Sequence, residues 1–496
     1  MNKFSILISL FLFSFEVYIC SMLHSFIQNY FKKENITSIQ DLAQAGSDRQ
    51  YARVSLNNHE TFIACLNSLV AENESFFYFT NIFLNKNIHV PKIIHIDESR
   101  KMYLLEDLGN ENLLNFTLKA KEEETIEKMY QKSLFGLVNM QIDAGKEIDY
   151  QNCFSSKIFD KQAVTADLNY FKYYFLDVHS IEYNKAELNA EFDLFANEIA
   201  TIPNHFFMFR DFQGRNIMLK NNEPYFIDYQ GGMQGPLQYD VASLLWQAKA
   251  NLSFEMKEKL FAYYIQILKN KIHINDSQFT LHYQQIVLLR LLQVLGAYGL
   301  RGIIEKRQHF LSSIPFALQN IETWQKNYIH ALENFPTLKH VLLQLSTENI
   351  KNTYKQNEMK NDTLTILVQS FSYKIGIPPD ESGNGGGFMF DCRGILNPGR
   401  FDEYKKSTGR DQSVIEFLET KTKVHQFLQG VKEVIHISIE DYMARGFAHL
   451  QISFGCTGGQ HRSVYCTDYI AKYIQEKYGV KVVVKHLIQD EKNWIN

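Results

Sequence analysis

Cysteine is scarce, six in 496 residues, and its spacing carries no metal signature. Cys20, Cys65, Cys153, Cys392, Cys456 and Cys466 make no CxxC pair, and no Cys/His cluster has zinc-ligand spacing. A disulfide framework is not expected in so long a chain, so the thiols read as reduced. There is no GxxxxGK[ST], which excludes the phosphate loop of P-loop nucleotide binders. There is no internal repeat. Positive charge is not in excess: the net charge is -4 at pH 7. The chain as a whole is not drawn to nucleic acid, and any polyanion site has to be local.

What is present is ordinary for a globular protein, with 45% hydrophobic and 21% charged residues. The length calls for two or more folding units. An apolar run from Phe4 to Phe15 follows Lys3. It has the length of a signal-peptide core and is short for a membrane span. A signal peptide, an anchor and an over-extended start at a methionine before Met22 all compete for residues 1–21. We read it as the last, and the expected location is cytoplasmic. From Met22 an amphipathic stretch (Leu23, Phe26, Ile27, Tyr30, Phe31) predicts a helix.

Residues 22–108 alternate short β-like runs with one helix. Strands are expected at Tyr51–Leu56 and Thr61–Leu66 around the turn Asn57–Glu60, then at Ile93-Ile94 and Met102–Leu105, with a helix over Ala71–Leu84. Residues 109–346 read as helical, interrupted by a strand-and-loop region from Phe206 to Pro236. A polar stretch, 347–362, reads as a linker. Residues 363–496 begin with a strand and carry the glycine-rich segment Ser382–Gly387.

The chemistry-bearing segment is Phe209-Arg-Asp-Phe-Gln-Gly-Arg-Asn216, followed by Pro224-Tyr-Phe-Ile-Asp-Tyr-Gln230. Phosphoryl transfer needs a carboxylate at the attacking hydroxyl, and an amide oxygen with a second carboxylate to hold Mg2+ against the phosphates. Asp211 and Asn216 have the kinase catalytic-loop separation. Asp228 follows a hairpin whose turn is Lys220-Asn-Asn-Glu223. This order resembles the aminoglycoside phosphotransferase and choline kinase superfamily. "FRDFQGRNIM" and "IDYQGGMQGPLQYDVASLL" most resemble the anomeric kinases of N-acetylmuramate and N-acetylglucosamine.

The resemblance covers roughly Leu42 to Pro336. It implies an α+β protein-kinase-like bilobal fold, ATP and Mg2+ as cofactors, and a sugar or alcohol as substrate. Asp211 would be the base, Asn216 and Asp228 the metal ligands, and Asp240 a structural carboxylate that anchors the loop. Phe209 stands where the motif has His. The phosphate-gripping lysine is missing, since Ala64 and Cys65 occupy its strand. Arg49 or Arg53 would replace it, with Glu74 as the cation's partner. Gly46 and Ser47 would cover the phosphates, and the backbone of Glu106 and Leu108 would bond adenine. Gln213, Arg215 and Gln230 are the candidate substrate contacts, with the pocket built by residues 131–195 and 252–334.

The last block holds Gln451-Ile-Ser-Phe-Gly-Cys-Thr-Gly-Gly-Gln-His-Arg-Ser-Val464, a strand running through a glycine turn into a helix. Helix N-termini expose unpaired N–H groups, so an anion-binding loop is expected, with His461 and Arg462 adding side-chain donors. Cys456-x5-Arg462-Ser463 is also the spacing of cysteine phosphatases. "GCTGGQHRSV", with "SFSYKIGIP", "GGGFMFDCRGILNPG" and "TGRD", resembles the C-terminal domain of the RapZ RNase-adapter family. We adopt that reading, because the additional motifs belong to it and no phosphatase acid loop is evident.

The RapZ resemblance implies an α/β domain that binds an amino-sugar phosphate such as glucosamine-6-phosphate. Cys456, Thr457, Gly458, Gly459, His461, Arg462 and Ser463 would form the loop, with Asp391 and Arg393 nearby and Asn397 and Arg400 as weaker candidates. It also implies self-association and contacts with RNA or a protein partner, although no basic-aromatic stripe supports RNA binding. The alternative to an enzyme is a nucleotide or sugar-phosphate sensor acting as an adapter.

Overall fold

The computed structural model describes residues 22–42, 49–154, 156–179, 181–347, 350–354, 364–380, 387–445 and 447–491. Contacts divide the chain into two compact units. One comprises the chain up to Leu300 with Phe316–Lys351, the other Arg301–Pro315 with the chain from Asn352 onward.

The first unit opens with a helix over residues 22–31, as the amphipathic spacing predicts, and buries Leu23 and Ile27. A five-stranded sheet follows, in the order β1-β2-β3-β5-β4 and antiparallel throughout. Its strands are β1 Ile36–Leu42, β2 Gln50–Leu56, β3 Thr61–Leu66, β4 Ile93–Ile96 and β5 Met102–Glu106. Ala52, Val54 and Ala64 lie on the face toward the first helix and are fully buried, the two-residue period of a half-covered sheet. The edge strand β1 was not foreseen. The helix Val70–Asn85 packs Phe76, Phe79 and Phe83 inward.

The rest of the unit is mainly helical, with two small hairpin-like pairs that build the loop region. β6 (Phe206–Met208) pairs with β9 (Met233–Gly235), and β7 (Ile217–Lys220) with β8 (Glu223–Phe226). The β7–β8 turn falls at Asn221-Asn222, both with positive φ (55° and 59°), as a tight two-residue hairpin demands of its central residues. Asp276–Tyr298 is the central helix, with Leu288, Leu289 and Leu292 fully buried.

In the second unit β10 (Thr365–Ser372), β11 (Phe388–Asp391), β12 (His449–Cys456) and β13 (Lys481–His486) form an all-parallel sheet in the order β11-β12-β10-β13. Central strand β10 is buried on both faces, as parallel strands generally are. Helices Val424–Arg445 and Arg462–Tyr478 cover it. This is the α+β kinase-like domain followed by an α/β domain that the motifs imply. Within the stretch read as a linker, residues 350–354 are helical and bury Ile350 and Tyr354, while 355–362 lie outside the described residues.

Candidate active site

The loop between β6 and β7 carries Asp211 and Asn216, and β8 leads into Asp228 two residues beyond its end. The three are drawn together by backbone and side chain alike. Ile227 N donates to Asn216 O at 3.0 Å. Asn216 Nδ2 donates to Asp211 O at 2.9 Å and to its Oδ2 at 3.3 Å. The Arg215 guanidinium, 2.9 Å from Asp211 Oδ2, feels the charges of both Asp211 and Asp228. Two residues here hold a positive φ unusual for side chains of their size, Arg210 at 76° and Asp228 at 69°. Such strain persists only where the surroundings fix it.

Part of that surrounding is Asp240. It is fully buried and accepts from the amides of Phe209 (2.7 Å) and Arg210 (3.0 Å), so it ties down the start of the loop. Burial pushes its carboxyl up to about 7, against the pull of those amides and of Arg290. Phe209, in place of the motif's His, is buried against Phe212 and Tyr229. Arg210 is fastened by Asp167 (2.9 Å) and Tyr239 (2.5 Å), and Gly214 N by Gln247 (2.9 Å). Asp167 and Gln247 carry no motif and were missed.

The two arginines expected to replace the missing lysine, Arg49 and Arg53, have different partners. Arg49, just before β2, reaches Asp228 Oδ1 at 3.0 Å, Glu72 at 2.7 Å and the Tyr51 hydroxyl at 3.1 Å. Burial works against its charge, but Tyr51, Asp228 and Glu72 outweigh burial and keep it cationic. The partner is therefore Glu72, not the expected Glu74, which pairs with Arg100 at the surface. On a helix of 3.6 residues per turn, Glu72 shares a face with Phe76, Phe79 and Phe83. That pattern was available in the sequence.

Arg53 is turned to a different segment. It binds Asp107 (2.7 Å), Asn110 (2.6 Å) and Gly109 O, so it fastens the segment after β5. In that segment the Glu106 amide is committed to Lys92 O (2.9 Å), and its side chain takes Lys220 (2.7 Å). Leu108 is buried. Gly46 and Ser47 lie outside the described residues. Gln213 donates to Asp211 Oδ1 (2.7 Å) and Gln230 to Asp228 Oδ1 (2.8 Å), which puts both amides beside the carboxylates.

The second unit has a different kind of site. Cys456 ends β12, and its Sγ lies 3.1 Å from Ser463 Oγ. Burial raises this thiol, but hydrogen bonds from the Ser463 hydroxyl and amide, the Arg462 charge and the Gln460 amide bring it below its ordinary value. Thr457 and Gly458 are exposed. Gly459 has φ +67°, and a Cβ there would sit 2.4 Å from Ile488 Cγ1, so the turn requires glycine.

The expected side-chain donors of this loop turn inward. His461 is hydrogen-bonded to Tyr404 O (2.8 Å), and Arg462 donates to Arg393 O (3.1 Å) and Ile395 O (2.7 Å). Both are buried, and of the Arg462 guanidinium only Nη1 meets these carbonyls. Asp391 and Arg393 form an exposed ion pair (2.6 Å), with Arg393 over the Tyr373 ring. Asn397 caps a local turn through Gly399 N.

A nucleotide-binding protein of Glaesserella parasuis serovar 5 is 33% identical over 188 residues, covering 36% of this chain and 62% of that protein. One of Marinobacter nauticus is 31% identical over 183 residues, covering 36% and 60%. The chain thus spans about three fifths of the length of these relatives. Among solved structures, choline kinase LicA from Streptococcus pneumoniae is similar at a TM-score of 0.41 and 11% identity, over 61% of this chain and 99% of that one. Plasmodium vivax ethanolamine kinase is similar at 0.39 and 14%, over 58% and 82%. The two units each match a family model: residues 38–270 match the phosphotransferase enzyme family, and residues 364–489 match the RapZ C-terminal domain.

Proposed function

We propose that the first domain transfers the γ-phosphoryl group of ATP to a hydroxyl of an N-acetylated amino sugar, at the anomeric position, in the cytoplasm. The observation that supports this reading is the chain of bonds from Asp211 to Asn216, from Asn216 to Ile227 next to Asp228, and from Asp228 to Arg49 and on to Glu72. In the reaction Asp211 orients the acceptor hydroxyl and receives its proton. The hydroxyl oxygen gains the phosphoryl group and ADP leaves. Arg49 and Gln213 face the transferring charge. The amino-sugar acceptor is supported by the likeness of the loop and of the "GPLQYDVASLL" segment to anomeric kinases, and by the amino-sugar phosphate expected at the second domain.

The residues fit a hard divalent cation such as Mg2+. Asn216 spends its amide nitrogen on Asp211, and Asp228 Oδ1 is held by Arg49 and Gln230. Asn216 Oδ1 and Asp228 Oδ2 therefore have no hydrogen-bond partner among the described residues, and oxygen donors of this kind suit Mg2+ completed by phosphate oxygens. When bound, the ion would offset the charge of the phosphates.

The second domain, on this proposal, holds a phosphorylated ligand at the exposed Thr457 and Gly458, in the loop that leads into the helix Arg462–Tyr478. The test uses the full chain with Mg-ATP and a panel of amino sugars and alcohols, with phosphorus NMR identifying the product. Anomeric phosphate from the wild type and none from Asp211→Ala supports the reading. No turnover on any member of the panel leaves the sensor or adapter reading in its place.

A further inference from the structure

We propose that a cleft in the first domain, between the start of β6 and the start of the helix Asp276–Tyr298, binds a small organic anion, a carboxylate carried on an aromatic ring. The proposal does not depend on the kinase reading. The cleft holds about 320 Å³. It is lined by Phe206, which opens β6, Gln238, which opens the helix Gln238–Leu245, and by His205, His273, Phe279 and His282. That volume is in the range of small-molecule sites. None of Arg49, Asp211, Asn216 and Asp228 lines it.

Gln238 is the residue that points to a ligand. It is 3% exposed, it borders the cleft, and its side-chain amide has no hydrogen-bond partner among the described residues. A buried amide left unpaired is costly, so the occupant of the cleft has to meet it. The walls suit a flat ring. Phe279 is held from behind by Phe261 and Tyr264, with ring centroids 6.3 and 6.4 Å away. Phe206 carries the His205 ring at 4.0 Å.

The sign of the charge follows from the polar groups. No lysine, arginine, aspartate or glutamate lines the cleft. The charges nearest in sequence are spent elsewhere, Lys271 on Asp143 and Asp276 on Lys269. His205, His273 and His282 have no hydrogen-bond or ion-pair partner among the described residues. Each imidazole offers an N–H, and Gln238 adds an amide N–H at the buried end. A carboxylate can accept from several of these, whereas an ammonium finds no carboxylate to answer it. The imidazoles are not gathered for a metal either. Among the described residues no group of three or more His, Cys, Asp or Glu side chains is placed to hold one.

The test titrates the full chain by calorimetry with three probes that share a ring system and differ in charge: 2-naphthoate, 2-naphthalenemethanol and 2-naphthylmethylammonium. Naphthoate is expected to bind one site per chain, about tenfold or more tighter than the ammonium, with the alcohol between them. Gln238→Met keeps the bulk and removes the amide, and should weaken naphthoate by about tenfold. His273→Ala, at the exposed rim, should weaken it by about threefold, and it reads the site even if Gln238→Met fails to fold. Asp211→Ala should leave naphthoate affinity unchanged, since Asp211 is not in the lining. An ammonium that binds as tightly as naphthoate overturns the inference. So does naphthoate affinity that His273→Ala and a folded Gln238→Met leave unchanged, or that falls in Asp211→Ala. Naphthoate that shows no saturable binding at millimolar concentration overturns it as well.

Discussion

The two loops of this chain are built alike and used differently. Each follows a buried strand and precedes a helical element, and each carries an acidic or thiol group, an arginine and a polar amide or hydroxyl. In the β6–β7 loop the side chains converge on one another and remain reachable from solvent. Asp211 and Arg215 are both part-exposed and joined at 2.9 Å. In the loop after β12 the side chains turn away. Cys456, His461 and Arg462 are buried against neighbouring segments, and Thr457 and Gly458 are exposed. On the proposed reading the first site depends on side-chain identity and the second on the shape of its loop. Mutations should separate them on that basis.

The largest effect is expected in the first loop. Asp211→Ala should lower kcat by about 10²–10⁴-fold, the usual contribution of a positioned base, with little change in melting temperature because the side chain is part-exposed. Thr457→Ala should leave kcat unchanged. Equal losses from the two would erase the contrast. Next, Arg49→Ala should raise the KM for ATP by about tenfold or more, since it removes the buried cation beside Asp228. Glu72→Ala should follow it in direction, and Glu74→Ala should not, because its partner Arg100 is at the surface. Steady-state kinetics in ATP checks all three.

In the second loop the sensitive position is backbone. Gly459→Ala puts a side chain at φ +67° and into Ile488, and should cost about 1–3 kcal/mol by denaturant unfolding. Gly458→Ala has open space and no positive φ, and should stay within about 0.5 kcal/mol. If the two glycines behave alike, the loop is not held by its shape.

Much of the first site was legible because its logic is local. The Asp211–Asn216 spacing, the Asn221-Asn222 turn and the strand leading to Asp228 are all set within twenty residues, and the structure brings them together. The strands β2 and β3 around the Asn57–Glu60 turn were equally plain. β1 was not, since its residues are exposed or half-covered and Ile36–Leu42 has no apolar period. Glu74 was preferred to Glu72 by ignoring helix phase, an error that Phe76, Phe79 and Phe83 would have corrected. His461 and Arg462 are a different case. Their partners, Tyr404 and the carbonyls of Arg393 and Ile395, lie 57 to 69 residues away in sequence. No motif says on which side of a loop a side chain will leave when the contact that decides it is long-range.

The smallest effect sets the two loops against each other through pH. Asp240 anchors the first loop with its carboxyl raised to about 7 by burial. A group whose folded value lies above its unfolded one stabilises fully at low pH, and that contribution is lost as pH rises through about 7. Cys456 under the second loop is lowered, and its thiolate gains stability for the fold as pH rises toward the ordinary thiol value. Between pH 6 and 8.5 hydrogen exchange in the full chain should therefore speed up around residues 207–212 relative to an Asp240→Asn variant. Over the same range it should slow around residues 456–463 relative to Cys456→Ser. Each variant removes one slope and leaves the other, so the comparison breaks if either substitution flattens both or if the two slopes share a sign.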